Sequence, residues 1–437
     1  MHSKAALLGA LLAFVVPSTL YGFHTSASRP AFLDKFPSTK YGTVHYAASE
    51  GNGALADSFK LYNTEKRDKQ VFRTKQPKMV KFYSCGPTIY DFAHIGNFRA
   101  FLTYDLLKRW LTYVGYEVDH ICNLTDVDDK IIQRMQRDGV SLRDLTDKYA
   151  RLFFEDLAML NIVPASKYPR ATEHIDDMVE MIQTLVDKGF AYENQGSYYF
   201  KVSMHKTYGR LAHLDFAGMQ SGAGEGGGIT DADEYAGDKD DAKDFALWKA
   251  YKEGDGEVAW ETPLGRGRPG WHVECSAMAR RYLGPTLDVH AGGVDLTFPH
   301  HENEIAQSEG YSGETFCNCW VHNGFVNINN EKMSKSKGNF LTLRDTLKTA
   351  LDVRGFRYLV VASQYRTALN FTPESLDFAK NTVRRLDKFK RMLDDYLATT
   401  TTTEEANTDD SENDPLVKTA KEALAGFEAG MNDDLNA

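Results

Sequence analysis

The stretch MVKFYSCGPTIYDFAHIGNFRAFLTYDLLKRWLTYVGYEVDHIC, residues 79–122, decides the fold. Met79 to Tyr83 is a short mixed strand. Asn97 to Tyr113 carries apolar residues at Phe98, Phe101, Leu102, Leu106, Trp110 and Leu111, the spacing of a helix with one buried face. Glu117 to Cys122 follows as a second strand. Strand, loop, helix and strand predict a parallel nucleotide-binding unit, in which ligands sit at the carboxyl ends of the strands. The loop opens straight into the helix, whose first turn offers unpaired N–H groups and the positive end of the dipole. His94, Gly96 and Asn97 can therefore meet phosphate oxygens there, with Gly96 permitting close backbone approach. A single histidine at a helix start is otherwise an ordinary cap.

Outward from this unit the texture changes. Residues 164–255 hold a helix from Ile175 to Lys188, a hairpin-like Tyr192 to Val202 and a glycine-rich acidic run from Gly218 to Asp241. They predict an α+β insertion splitting a parallel-sheet domain whose first half is 59–163 and whose second half is 256–345. Leu287 to His290 restores strand character. Beyond Phe340 the chain turns helical over 346–398, and Lys380, Arg384, Arg385, Lys388, Lys390 and Arg391 make one helix basic. Most such runs are solvated faces, and contact with phosphates is the alternative. Five consecutive threonines and a cluster of acids give 399–415 the composition of a linker. Residues 416–437 then open as a helix too short to be a domain alone, the expected start of a truncated C-terminal helical domain.

A chain of 437 residues with 42% hydrophobic and 26% charged side chains can bury a large core, which excludes a disordered or fibrous protein. A net charge of -10 argues against bulk attraction to polyanions, so any nucleic-acid contact needs a local basic patch. Five scattered cysteines do not make a disulfide scaffold. Lys4 precedes an apolar run from Ala5 to Val16, ended by Pro17, which predicts a signal peptide over 1–22 rather than a membrane span. Residues 23–58 begin serine-rich, basic and acid-poor, with Asp34 the one acid from Phe23 to Tyr46. Together the two segments resemble the bipartite presequence of algal plastids. A plastid address is expected, with the mitochondrion as alternative and no membrane attachment of the mature chain.

Chemistry concentrates in two further places. EKMSKSKGN, residues 331–339, sets Lys332, Lys335 and Lys337 in a glycine-terminated loop, where clustered ammonium groups can neutralise a departing pyrophosphate. Possible metal ligands are Cys85 at the end of the first strand, Cys275 in WHVEC, and His300 and Glu304 in FPHHENE, whose spacing of four puts both on one helical face. Two thiols, an imidazole and a carboxylate suit Zn(II), one per chain. His301 points roughly 100° away on such a helix and is left out. Cys317 and Cys319 read as packing residues of a strand through Trp320 and Val321.

HIGN and KMSKS, with Lys332 lying 238 residues after His94, together resemble the two nucleotide motifs of class I aminoacyl-tRNA synthetases. CGPTIYDFAHIGN, NLTDVDDKI from Asn123, RATEHI from Arg170, GRPGWHVECSAM from Gly267, DVHAGGVDLTFPHHENEIAQS from Asp288 and KMSKSKGNF narrow this to a resemblance to cysteinyl-tRNA synthetases. It spans about Leu61 to Thr399, with an echo in GMNDDLN from Gly430. The resemblance implies a Rossmann-like α/β catalytic domain, a helical stem-contact region and an anticodon-binding helical domain. It implies catalytic roles for His94, Lys332 and Lys335, and ATP contacts from these with Gly96, Asn97, Gly292, Gly293 and Asp295. Trp271 and His290 would face the cysteine, and zinc on Cys85, Cys275, His300 and Glu304 would receive its thiol. The implied substrates are L-cysteine, ATP with Mg(II), and tRNA(Cys), on a monomer. A soft thiolate binds zinc better than a hydroxyl does, a basis for rejecting serine without editing.

Asn97 departs from the commoner second histidine of the motif, though an amide still donates to phosphate or ribose. The near absence of an anticodon-binding region implies that activation survives and tRNA selectivity suffers. Two other functions remain open on sequence alone: a related ligase acylating a small amino-sugar acceptor, and a catalytically dead paralogue binding zinc or RNA.

Overall fold

The computed structural model describes residues 52–214, 239–333, 338–400 and 415–436. Residues 1–51 of the presequence, most of the glycine-rich run, most of the linker and residues 334–337 of the lysine loop, Lys335 among them, lie outside the described residues.

Four parallel strands form the catalytic sheet: β3 (Met79–Ser84), β4 (Glu117–Cys122), β10 (Leu287–Gly293) and β11 (Cys317–Asn323), in the spatial order β11-β10-β3-β4. Register is set by pairs such as Phe82↔His120 and Ala291↔Ser84, so Ser84, Cys122, Gly293 and Asn323 all end at one edge. Helix α1 (Ile95–Tyr113) crosses between β3 and β4, burying Phe98, Leu102, Leu107 and Trp110, and it starts at that edge. This is the expected unit, with the helix two residues longer at its start because His94 caps it.

The insertion contains helix α4 (Ile175–Asp187) and a five-stranded antiparallel sheet of β5 (Ala191–Asn194), β6 (Ser197–Phe200), β7 (Phe245–Ala250), β8 (Trp260–Thr262) and β9 (Gly265–Pro269). It runs past the expected boundary at 255. The β8–β9 hairpin, residues 260–269, pairs with β7 and belongs to this sheet, a non-local pairing that the polar and glycine-rich sequence there does not signal. Helices α2 (Asp129–Asp138) and α3 (Leu142–Met159) precede the insertion. Helix α5 (Trp271–Leu283) leads back and packs on β3 and β4. Helix α6 (Glu302–Ser312) joins β10 to β11.

The region beyond Phe340 is not purely helical. Strand β14 (Leu369–Phe371) pairs in parallel with β12 (Val326–Ile328), which pairs antiparallel with β13 (Glu331–Lys332), the entry to the lysine loop. Helix α7 (Ala350–Val361) packs on α8 (Pro373–Thr400), which carries the basic run. Helix α9 (Pro415–Asn432) does not open a separate body as expected. Its following turn docks on the edge of the catalytic domain, where Asp434 donates its N–H to the Lys60 carbonyl in β1 (Lys60–Asn63) at 3.0 Å. Asp434 is buried, and its carboxylate accepts from the backbone N–H of Tyr62 and the hydroxyl of Tyr365. Those partners lie far apart in sequence, so helix length alone does not reveal this docking. Among the described residues no helix is long and apolar enough to cross a membrane.

Candidate active site

At the start of α1, His94 and Asn97 cap each other. The Asn97 N–H donates to His94 Nδ1 at 3.2 Å, and the His94 N–H donates to Asn97 Oδ1 at 3.0 Å. Asparagine thus serves the fold with its carbonyl end and keeps its NH2 as a donor. A Cβ on Gly96 would lie 2.9 Å from His94 Nδ1 and 3.1 Å from Met333 Cε, so glycine lets the capping turn and the entry to the lysine loop close together. The exit of that loop also meets the turn: the Ile95 N–H donates to the Leu341 carbonyl at 3.0 Å, and the Phe340 ring lies 5.0 Å from His94. Lys332 on β13 is exposed, its ammonium 4.7 Å from the centre of the Phe325 ring.

Behind this nucleotide edge, Cys85, Cys275, His300 and Glu304 come together, with one ligand atom of each within 4.8 Å of the others and all four buried. Cys85 follows β3, and Cys275 sits one turn into α5, whose entry needs Gly270 because a Cβ there would lie 2.1 Å from the Ala246 carbonyl oxygen. Burial raises the Cys85 thiol, while its hydrogen bond to Cys275 pulls the latter down to about 6 against the cost of burial. Burial disfavours charge on His300, yet Glu304 and Cys275 override it and raise the imidazole to about 10. Burial likewise opposes the Glu304 carboxylate, but His290 and His300 hold it at about 2. A buried site already poised to carry two negative charges on sulfur and oxygen fits a divalent soft cation, and zinc matches the donor set.

A second shell orients these ligands. His300 Nδ1 meets His272 Nδ1 at 2.9 Å, which leaves Nε2 toward Glu304 Oε1 at 3.1 Å. Trp271, expected at the cysteine pocket, stacks on His300 with centroids 4.1 Å apart. His290, expected beside the amino acid, is fully buried behind Glu304: its Nε2 lies 2.8 Å from Glu304 Oε2 and its ring stacks on Trp320. It orients the carboxylate.

His301, left out of the ligand set, packs directly against it. Its Nε2 lies 3.2 Å from Cys85 Sγ and its Nδ1 2.8 Å from His322 Nε2, which continues to Thr64 Oγ1 through Nδ1 at 2.8 Å. The angle of one continuous helix does not apply here, because Phe298 is extended (φ -140°, ψ 135°) and the chain kinks there before α6 begins. The signal lay in its spacing of three from Glu304, which also shares a helical face. Cys85, His290, His301 and Glu304 form a second possible ligand group, but it offers one thiol instead of two. Gly292 makes room for this shell, since a Cβ there would lie 2.4 Å from His301 Cε1. Gly293 and Asp295 follow at the mouth, where partial desolvation raises the Asp295 carboxyl and Lys332 opposes that rise.

Two recognised motifs serve packing. The Gly86 N–H donates to Asn123 Oδ1 at 2.9 Å, and a Cβ on Gly86 would lie 1.6 Å from the Asn123 carbonyl oxygen. Asp126 accepts from the Thr172 N–H and hydroxyl at 2.9 and 2.7 Å, which ties the strand end to the RATEHI turn. Sequence reasoning missed Glu274, which is fully buried and accepts from the Thr125 hydroxyl at 2.8 Å.

The parallel sheet, the reciprocally capped helix start and the lysine hairpin meeting at one edge are those of a class I aminoacyl-tRNA synthetase catalytic domain. The family described as tRNA synthetases class I (C) catalytic domain matches residues 71–381. The chain is 45% identical over 376 residues to the cysteine–tRNA ligase of Leuconostoc citreum, covering 86% of this chain and 77% of that one. It is 44% identical to that of a Geobacillus species, covering 87% and 78%. In solved structures the fold is similar to methionyl-tRNA synthetase of Mycobacterium tuberculosis, with TM-score 0.58 and 17% identity over 82% of this chain and 80% of that one. The chain belongs to the cysteine–tRNA ligase family.

Proposed function

We propose that the chain activates L-cysteine with ATP and transfers it to tRNA(Cys), with zinc held by Cys85, Cys275, His300 and Glu304. The buried cluster of two thiols, an imidazole and a carboxylate beside the nucleotide edge carries this reading. When bound there, zinc supplies a soft acceptor that prefers the cysteine thiolate to a hydroxyl. Trp271 and the histidine shell shape and orient that pocket. The α1 N-terminus, with His94 Nε2 and the Asn97 amide, receives ATP phosphates, while Lys332 and Lys335 neutralise pyrophosphate. The cysteine carboxylate attacks the α-phosphorus, a P–O bond forms, the α–β bridge breaks and pyrophosphate leaves with Mg(II). A hydroxyl of the terminal ribose then attacks the acyl carbon, its proton departs and AMP is released. No covalent enzyme intermediate is needed, so catalysis is positioning and electrostatics.

The test is cysteine-dependent exchange of pyrophosphate into ATP, followed by transfer of labelled cysteine to tRNA. Exchange without any tRNA charging, but with consumption of the adenylate by an amino sugar, would favour the small-acceptor ligase. No exchange would favour the inactive paralogue. The composition of residues 1–58 supports a plastid address, which a fluorescent fusion of that segment tests against the mitochondrion.

A further inference from the structure

Arg99 lies two residues beyond the HIGN motif in α1 and is fully buried, with no carboxylate partner among the described residues. Its guanidinium donates instead to backbone carbonyls of two separate segments. Nη1 reaches the Phe325 carbonyl at 2.5 Å, and Nη2 reaches those of Gln364 (3.4 Å), Tyr365 (3.2 Å) and Thr367. These segments are pressed together: the Gly324 N–H donates to the Tyr365 carbonyl at 2.8 Å, and a Cβ on Gly324 would lie 2.5 Å from the Thr367 carbonyl oxygen. Phe325 leads directly into β12, Thr367 precedes β14, and β12 carries β13 with Lys332 at its end. The Lys332 ammonium rests over the ring of Phe325, the residue whose carbonyl Arg99 holds.

A buried guanidinium without a counter-charge is costly, and an apolar side chain of similar length would fill the space without that cost. Only a planar fork of donors can span carbonyls on both segments. We propose that Arg99 is a positioning residue for adenylate formation, setting the β12–β13 hairpin and Lys332 against the phosphate turn at the start of its own helix. This rests on the proposed function, in which that hairpin neutralises pyrophosphate.

The test compares Arg99→Lys, Arg99→Met and Phe325→Leu with wild type, at concentrations corrected for active sites. In the two Arg99 variants kcat for pyrophosphate exchange should fall about 10- to 100-fold, as expected for a small misplacement of a catalytic group. The KM for cysteine and the zinc content should stay as in wild type. Phe325→Leu, which leaves Arg99 in place and changes a partly exposed ring, should lower kcat about threefold through loss of the cation–π contact. Amide exchange over residues 326–332 should quicken in the Arg99 variants while that over 79–84 does not. Unchanged kcat, or parallel losses of kcat, zinc and cysteine affinity, would overturn the proposal. So would hairpin amides that exchange as in wild type. Where neither Arg99 variant folds, Gly324→Ala, whose methyl would meet the Thr367 carbonyl oxygen at 2.5 Å and part the two segments that Arg99 spans, decides by the same kcat and amide-exchange criteria. A wild-type protein without exchange activity would refute the functional reading alone, since the amide measurement still judges the hold of Arg99 on the hairpin.

Discussion

Replacing Asp434 separates a buried acceptor from a surface ion pair within one carboxylate. Oδ1 accepts from the Tyr62 N–H at 2.8 Å and the Tyr365 hydroxyl at 2.7 Å. Oδ2 accepts from Arg366 Nε at 2.9 Å and Gln364 Nε2 at 3.2 Å. The Arg366 side chain is 32% exposed, so its pairing with Asp434 contributes only about 0–1 kcal/mol. Asp434→Ala strands two donors at about 1–3 kcal/mol each, but the C-terminal turn can lift and admit water, so about 2–3 kcal/mol is expected. With about 1.4 kcal/mol per factor of ten, the Tyr62 amide should exchange roughly 30- to 150-fold faster with solvent. Asp434→Asn can keep the carbonyl oxygen at the Oδ1 position and disturb only the two water-accessible donors, so its effect should stay below about tenfold. Native-state amide exchange at Tyr62 measures both. An Asn variant as damaging as Ala would refute the assignment, because the charge pair with Arg366 would then dominate over the buried acceptor.

Three other outcomes are expected. Cys275→Ser should lose zinc, measured by metal analysis, together with cysteine-dependent pyrophosphate exchange; full zinc occupancy would remove Cys275 from the site. Gly292→Ala forces a methyl against the His301 ring and should destabilise the fold by about 1–3 kcal/mol in urea denaturation and speed zinc loss to a chelator, unlike alanine at the open Gly254. Burial lowers the Lys108 ammonium from 10.5 to about 8, so the folded state binds fewer protons than the unfolded one between those values. Stability from this group therefore rises with pH from about 8 toward 10.5, and Lys108→Met should flatten that rise in urea midpoints measured from pH 7 to 10.

Much of the catalytic unit was legible in the sequence because it is local. The helical period from Phe98 to Leu111 and the flanking short strands specify β3, α1 and β4 without help from the rest of the chain. Ligand chemistry is also local information: thiols at Cys85 and Cys275 and the spacing of four from His300 to Glu304 named a group that the fold brings within 4.8 Å. The opening of β10 and the hairpin at 191–200 follow the same rule of short-range pattern.

What tertiary structure alone decided depends on contacts between distant segments or on departures from regular geometry. His301 faces Cys85 across a chain that kinks at the extended Phe298 before α6, which residue spacing on an ideal helix does not show. His290 lies behind Glu304 because β10 and α6 meet in space, and no motif encodes its contact with that carboxylate. The insertion extends to Pro269 because β9 finds β7, and the final turn docks because Asp434 finds donors on β1 and on the segment before β14. Arg99 reads as one more residue of an amphipathic helix until the carbonyls of Phe325 and Thr367, more than two hundred residues away, close around it. Periodicity and side-chain chemistry travel with the sequence, whereas the partners of a buried charge exist only once the chain has folded around it.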